Sequence, residues 1–203
     1  MTRTVDEAVE WVRAHPRRTD GDDWNGWCQA LVWNAGGFKK TYMTATAARK
    51  ASRLIVPSSL PIEKVPDGWL LHWAFVGKIN GQLQDYGHIA IKVGAKALMA
   101  SSYCTQMLGA NVGFITAADY DNRSGHAYLG ASPDMGGEYL AGISRSVPTG
   151  TTKAKTHVVT TSENLTTIAK RYGTRWDVLY NLNRKAIGPD PDAIKIGMKL
   201  ALP

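Results

Sequence analysis

A polar stretch, SRSVPTGTTKAK at residues 144–155, interrupts a chain otherwise rich in aromatic and branched aliphatic residues, and it constrains the fold more than any other feature. Ser, Thr, Gly, Pro and Lys in succession offer little to bury and read as a linker. The chain therefore divides into a unit over 1–145, a linker over 146–155 and a small unit over 156–203. The first unit is long enough for a core of its own. The second lies near the lower limit for independent folding, so nearly all of its apolar positions must be core.

The order of elements in the first unit points to α+β. Val5, Ala8, Val9 and Val12 recur at helical spacing before the stop at His15-Pro16, and CQALVWNAGG reads as a second helix that opens at Cys28 and ends at Gly36-Gly37. Residues 41–54 are alanine-rich and free of Gly and Pro, which predicts a third helix. From Pro66 onward, WLLHWAFV, HIAIKV and LMASSY are short apolar or alternating runs between Gly-containing turns. That is strand behaviour, and helices followed by strands predict an α+β domain. The tail reads strand, helix, helix, strand, with Ser162 and Thr174 as candidate caps of its two helices.

Charge is unevenly spread. Up to Gly150 there are 15 Lys and Arg against 13 Asp and Glu, whereas the remaining residues carry 9 against 4. A basic tail attracts polyanions of any kind, including the acidic polymers of a bacterial wall, and no nucleic-acid motif accompanies it. No run of about 18 apolar residues occurs, so membrane insertion is not expected. The start, MTRTVDEAVEW, is acidic where a secretory leader is apolar, which predicts synthesis in the cytoplasm without a Sec-type signal.

Two cysteines are too few for a disulfide framework and lack the paired spacing of a zinc site. Cys28 is placed at a helix N-terminus, where unpaired N–H groups and the positive end of the helix dipole favour thiolate over thiol. His88, in DYGHIAI, is the best candidate base, with Gly87 allowing close approach. Cys104 reads as a buried structural thiol near a strand end. His72 and His126 lack a second pair of ligands, Asp20, Asp22 and Asp23 read as a solvated turn, and neither metal nor cofactor is expected. Trp24 and Trp27, flanking a glycine beside Cys28, are candidates for lining a substrate groove.

The segments WNGWCQALVW, VPDGWLLHW and DYGHIAIKVG resemble the CHAP domain, the cysteine, histidine-dependent amidohydrolase/peptidase family, and particularly the versions found in phage endolysins. The likeness spans Asp20 to Ser102. It implies a papain-like α+β fold with Cys28 as nucleophile, His88 as general base, and backbone N–H groups around Cys28 forming much of the oxyanion hole. The family places a polar or acidic residue on the strand after the histidine strand to orient the imidazole. Here Ser102 or Ser101 stands nearest that place, with Asp85 and Asp119 as alternatives from elsewhere. Some members carry a calcium loop before the cysteine; Asp20, Asp22 and Asp23 depart from its spacing, and Ala30 stands where those domains have an acid.

HVVTTSENLTTIAKRYGTRWDVLYNLN, followed by IKIGMKLALP, resembles a LysM domain from Thr156 to Pro203, departing at SENL where Gly-Asp-Thr-Leu is commoner. The resemblance implies binding of N-acetylglucosamine-containing glycans by two loops. By position these are Ser162, Glu163, Asn164 and Leu165, then Pro189, Asp190, Pro191, Asp192, Ala193 and Ile194. Together the two likenesses imply a monomeric peptidoglycan hydrolase of the endolysin kind, cutting a wall amide by a Cys/His mechanism and held on its polymer by the tail. A catalytically inactive wall-binding protein is the alternative.

Overall fold

The computed structural model describes residues 1–79, 82–116, 119–120, 126–147, 156–172, 174 and 176–202. Most of the expected linker, 148–155, lies outside the described residues, as does Arg175, which would join Thr174 to the helix it was expected to cap.

Three helices come first. Helix α1 (Val5–Ala14) begins with a reciprocal capping box between Thr4 and Glu7, and it buries Ala8, Val9 and Val12. Helix α2 (Cys28–Gly36) ends at Gly37, whose φ of +63° suits a residue without Cβ. Helix α3 (Ala45–Ala51) is shorter than the alanine-rich stretch suggested. Thr44 caps it by accepting from the Ala47 N–H, and the flanking residues are extended or turn.

Strands β1 (Leu70–Ala74), β4 (His88–Val93), β5 (Lys96–Ala100), β6 (Val112–Thr116) and β7 (Ala127–Ser132) form one antiparallel sheet in the order β6-β5-β4-β1-β7. A hairpin of β2 (Val76–Ile79) and β3 (Gln82–Asp85) projects between β1 and β4, and β8 (Asp134–Met135) pairs with β9 (Glu138–Tyr139). Both faces of the central strands are covered. Leu70, Ile89, Ile91, Leu98 and Ala100 pack with α1 to α3, while Leu71, Trp73, Ala90, Ala97 and Met99 pack into a second cluster with Trp69, Tyr103 and Tyr120. Residues alternate between the two clusters with the period of two that a strand imposes. Burial on both sides explains why β1 and β4 read as nearly continuous apolar runs.

One buried carboxylate secures the rim. Asp134 is fully buried and accepts from the backbone N–H groups of Arg53, Leu54 and Gly137 at 2.7–3.3 Å, tying the turn after α3 to the β8–β9 hairpin.

The LMASSY run is not all strand. Strand β5 stops at Ala100, and Ser101 caps helix α4 (Ser102–Leu108) by accepting from the Cys104 N–H. Ser102 and Cys104 are therefore helical, although Cys104 is fully buried as expected. An apolar run ending in Ser-Ser can feed either element, and here the serine's capping capacity decides.

The tail folds around a separate core. Strand β10 (Thr156–Val158) pairs antiparallel with β11 (Lys199–Ala201), and helices α5 (Leu165–Arg171) and α6 (Trp176–Ile187) lie between them in sequence. Val159, Leu165, Ile168, Leu179, Ile187 and Leu200 form its centre. Asn164, not Ser162, caps α5, in a reciprocal box with Thr167. Ser162 instead has φ +66°, the left-handed region where glycine is at ease. Asn183 joins helix to strand: its amide donates to the Leu179 and Ala201 carbonyls at 2.8 Å each and accepts from the Ala201 N–H at 2.7 Å.

Candidate functional site

The first turn of α2 and the start of β4 meet at a cavity of about 1010 Å³. Cys28 and His88 both line it, together with Trp27, Phe75, Ser102, Tyr120 and His126. Gly87 makes the approach possible. At φ +63° it brings the chain against α3, where a Cβ would come within 2.5 Å of Thr46 Oγ1 and 2.8 Å of its backbone nitrogen. Thr46 is anchored in turn by donating from its N–H to the Tyr86 carbonyl at 3.1 Å and from its hydroxyl to Asp85 at 2.8 Å.

Cys28 is half-buried at the helix start, with the backbone N–H groups of Ile89, Gln29 and Cys28 directed at its sulfur. Those donors favour thiolate, as the sequence suggested. Burial outweighs them and pushes the thiol up to about 11, so at neutral pH the resting group is a thiol. His88 is 5% exposed, and burial, with a smaller contribution from His126, holds its pKa down to about 3. The two groups are thus a neutral pair. They share the cavity wall without a direct hydrogen bond.

The other expected site residues fall differently. Trp27 is half exposed on the cavity rim, with the Arg18 guanidinium 4.1 Å from its ring centre. Trp24 is not a groove residue: it is buried in the core, its indole N–H donating to the His15 carbonyl at 3.0 Å. Ser102 lies on the exposed first turn of α4 and makes no hydrogen bond to His88. Ser101 uses its hydroxyl to cap that helix. Asp85 is engaged by Thr46, and Asp119 by the Thr116 hydroxyl. Asp20 pairs with Arg18, and Asp23 accepts from the Asn25 N–H, as in an ordinary polar turn. His72 is a buried core histidine, bonded through Nε2 to Ser132 at 2.8 Å. Among the described residues no group of three or more His, Cys, Asp or Glu is arranged to hold a metal ion.

Sequence reasoning missed the ring cluster over His88. Tyr120 lies 4.7 Å from the imidazole centre and His126 5.8 Å, and His126 stacks on Phe75 at 4.7 Å and 12°. Both follow β6 in the chain, and only tertiary packing returns them to the cavity.

In the tail, the loop between β10 and α5 is built around Glu163. Its carboxylate accepts from the Thr160 N–H at 2.8 Å, meets His157 Nε2 at 2.8 Å and pairs with Arg171 at 2.6 Å. These contacts hold its pKa down to about 2. His157 Nδ1 lies 3.1 Å from the Tyr172 hydroxyl. Residues 157–203 match the family model of the LysM domain. The C-terminal unit is a LysM domain. Comparison with curated proteins finds no match, and neither does comparison with solved structures. The family match does not extend to the unit that holds Cys28.

A LysM domain implies binding to peptidoglycan glycan and points to the cell wall as the place of action. Within this LysM domain the expected glycan loops are only partly free to meet a ligand. Leu165 is core, and Glu163 and Asn164 spend their side chains on the loop itself. Pro189 has its carbonyl engaged by Tyr180 at 2.7 Å, and Asp190 accepts from the Asp192 N–H at 2.9 Å. Pro191 and Ala193 are half-buried, Asp192 is exposed, and Ile194 packs against the core. Ser162, Pro189 and Asp190 are exposed as well. No helix among the described residues is long and apolar enough to cross a membrane.

Proposed function

We propose that the chain is a peptidoglycan hydrolase of the endolysin kind, in which a papain-like N-terminal domain cuts an amide of the bacterial wall and the LysM domain holds it on its substrate. The observation that carries this reading is the meeting of Cys28, at a helix start, and buried His88 in one large cavity. The resemblance of the segments around both residues to the CHAP family supports it.

In this reading His88 takes the thiol proton as the Cys28 sulfur attacks the amide carbonyl carbon, so that an S–C bond forms and the carbonyl oxygen becomes anionic. The same reading gives that oxygen to backbone N–H groups around Cys28. The protonated imidazole then gives its proton to the amine nitrogen as the C–N bond breaks. Water completes the cycle: it loses a proton to His88, its oxygen bonds to the acyl carbon, and the S–C bond breaks with return of the proton to sulfur. Starting from a neutral pair, charge separates only during each transfer. The LysM domain raises the local concentration of substrate by keeping the chain on an insoluble polymer.

The test is the release of new amine and carboxyl termini from purified peptidoglycan, identified by mass spectrometry, for the parent, Cys28→Ala and Cys104→Ala at equal wall-bound amounts. Loss of products with Cys28→Ala alone is expected. A parent that binds walls of several chemotypes and releases no new termini is instead a wall-binding protein.

A further inference from the structure

His88 has an unusual setting for a base. Its Nε2 is buried and has no hydrogen-bond partner among the described residues. A working imidazole presents one nitrogen to its nucleophile and needs its orientation fixed from the other side, a task commonly given to a hydrogen-bond acceptor. Here neither Ser101 nor Ser102 is bonded to the ring, and Asp85 and Asp119 are engaged elsewhere.

Aromatic rings surround it instead. Trp73 faces His88 across the β1–β4 pairing, with ring centres 5.8 Å apart. Tyr120 lies at 4.7 Å and 33° to the imidazole and meets Trp73 edge-on at 5.1 Å and 79°. Both rings are 1% exposed, so neither can swing away without opening the core. Tyr120 is further wedged by Tyr103 at 5.9 Å and by His126 at 5.0 Å.

We propose that Trp73 and Tyr120 are positioning residues for His88: their interlocked rings clamp the imidazole in its working orientation, and the site operates as a Cys28–His88 dyad without a hydrogen-bonded third residue. This rests on the hydrolase reading above. A clamp of rings fixes geometry without adding a negative charge, so it does not stabilise an imidazolium at rest. The low pKa of His88 agrees with that. Among the described residues the titratable groups facing the imidazole are Cys28, Tyr120 and His126, and burial together with the nearby Cys28 raises the Tyr120 phenol above its ordinary range.

The experiment uses the full chain with Tyr120→Phe, which keeps the ring, Tyr120→Leu, which removes it, and Ser102→Ala. Two readouts are taken: kcat and KM on a soluble disaccharide-peptide prepared from peptidoglycan, and the pH profile of iodoacetamide alkylation mapped to Cys28, with His88→Ala defining the part of the profile that depends on the imidazole. The clamp predicts Tyr120→Phe within about threefold of the parent. It predicts that Tyr120→Leu loses thirtyfold or more in kcat with KM changed less than twofold, together with the His88-dependent part of the alkylation profile. Ser102→Ala stays within twofold. A tenfold loss in kcat with Ser102→Ala, or a Tyr120→Phe variant as impaired as Tyr120→Leu, overturns the clamp. Should Tyr120→Leu fail to fold, a tenfold loss in kcat with Tyr120→Phe or with Ser102→Ala still overturns the clamp. A parent that shows the His88-dependent alkylation, loses it in Tyr120→Leu and yet turns over no substrate refutes the hydrolase reading while the clamp stands. Retention of that alkylation in Tyr120→Leu refutes the clamp alone.

Discussion

The two units differ in how far their buried nitrogens are matched, although buried carboxylates are held in both, Asp134 by three N–H groups and Glu163 by Thr160, His157 and Arg171. In the N-terminal unit the Trp33 and Trp73 indole nitrogens, His72 Nδ1 and His88 Nε2 are all buried without a hydrogen-bond partner, whereas in the LysM domain Asn183 and His157 have theirs matched on both sides. Each unmatched group costs roughly 1–3 kcal/mol. A sheet buried on both faces can carry such losses, and a fold with one small cluster cannot. The difference teaches where chemistry can be housed. The small unit also buries an imidazole, His157, but gives both its nitrogens partners, whereas His88 Nε2 stays unmatched beside the larger core.

The contrast can be broken or sharpened by separating the units. For the proposed hydrolase, ending the chain after Val147 is expected to leave cleavage of soluble wall fragments within about twofold of the parent and to lower turnover on insoluble walls by about 10²-fold, the scale expected when effective concentration is lost. Equal loss on both substrates would mean that the LysM domain does more than tether.

Asn183→Leu tests the satisfied frame. It strands the Ala201 N–H and C=O and destabilises the LysM domain by about 2–3 kcal/mol. Calorimetry of the full chain is expected to show the LysM transition lowered and the N-terminal one unmoved.

Acid separates the units next. His88 and His72 have pKa values near 3 in the fold and near 6.5 when unfolded, so the unfolded N-terminal unit binds more protons between these limits and its stability falls as pH drops from about 6.5 toward 3. Glu163 is also shifted down, but for a different reason: the hydrogen bonds from Thr160 and His157 favour its charged form, where burial disfavours that of the histidines. Its contribution is full above 4.5 and is lost as pH falls through about 2. Following near-ultraviolet dichroism at fixed temperature, the N-terminal unit is expected to lose structure first; an earlier LysM transition would reverse the comparison.

The smallest effect is a gain. Ser162→Gly removes a left-handed serine and is expected to raise LysM stability by about 0.5–1 kcal/mol, read as a higher melting temperature.

Legibility in the sequence followed the range of the interactions. The first helix with its stop at His15-Pro16, the helix opening at Cys28, its stop at Gly36-Gly37 and the need for Gly87 are all set within a few residues, and each is where the sequence places it. Ser101 and Asn164 were misjudged because several capping residues stand in a row at both places, and the choice among them is made by packing. Trp24 and Trp27 are indistinguishable by type, yet the turn between them sends one into the core and the other to the cavity rim. Tyr120 and His126 carried no signal, since a residue more than thirty positions from its partner reaches it only through the sheet's topology.

The most direct test of the central claim is rapid-quench intact-mass measurement on the full chain mixed with a soluble disaccharide-peptide from peptidoglycan, followed by peptide mapping. An acyl adduct on the peptide containing Cys28, formed before free product and absent in Cys28→Ala, is the result predicted here. Product formation that persists undiminished in Cys28→Ala would contradict it.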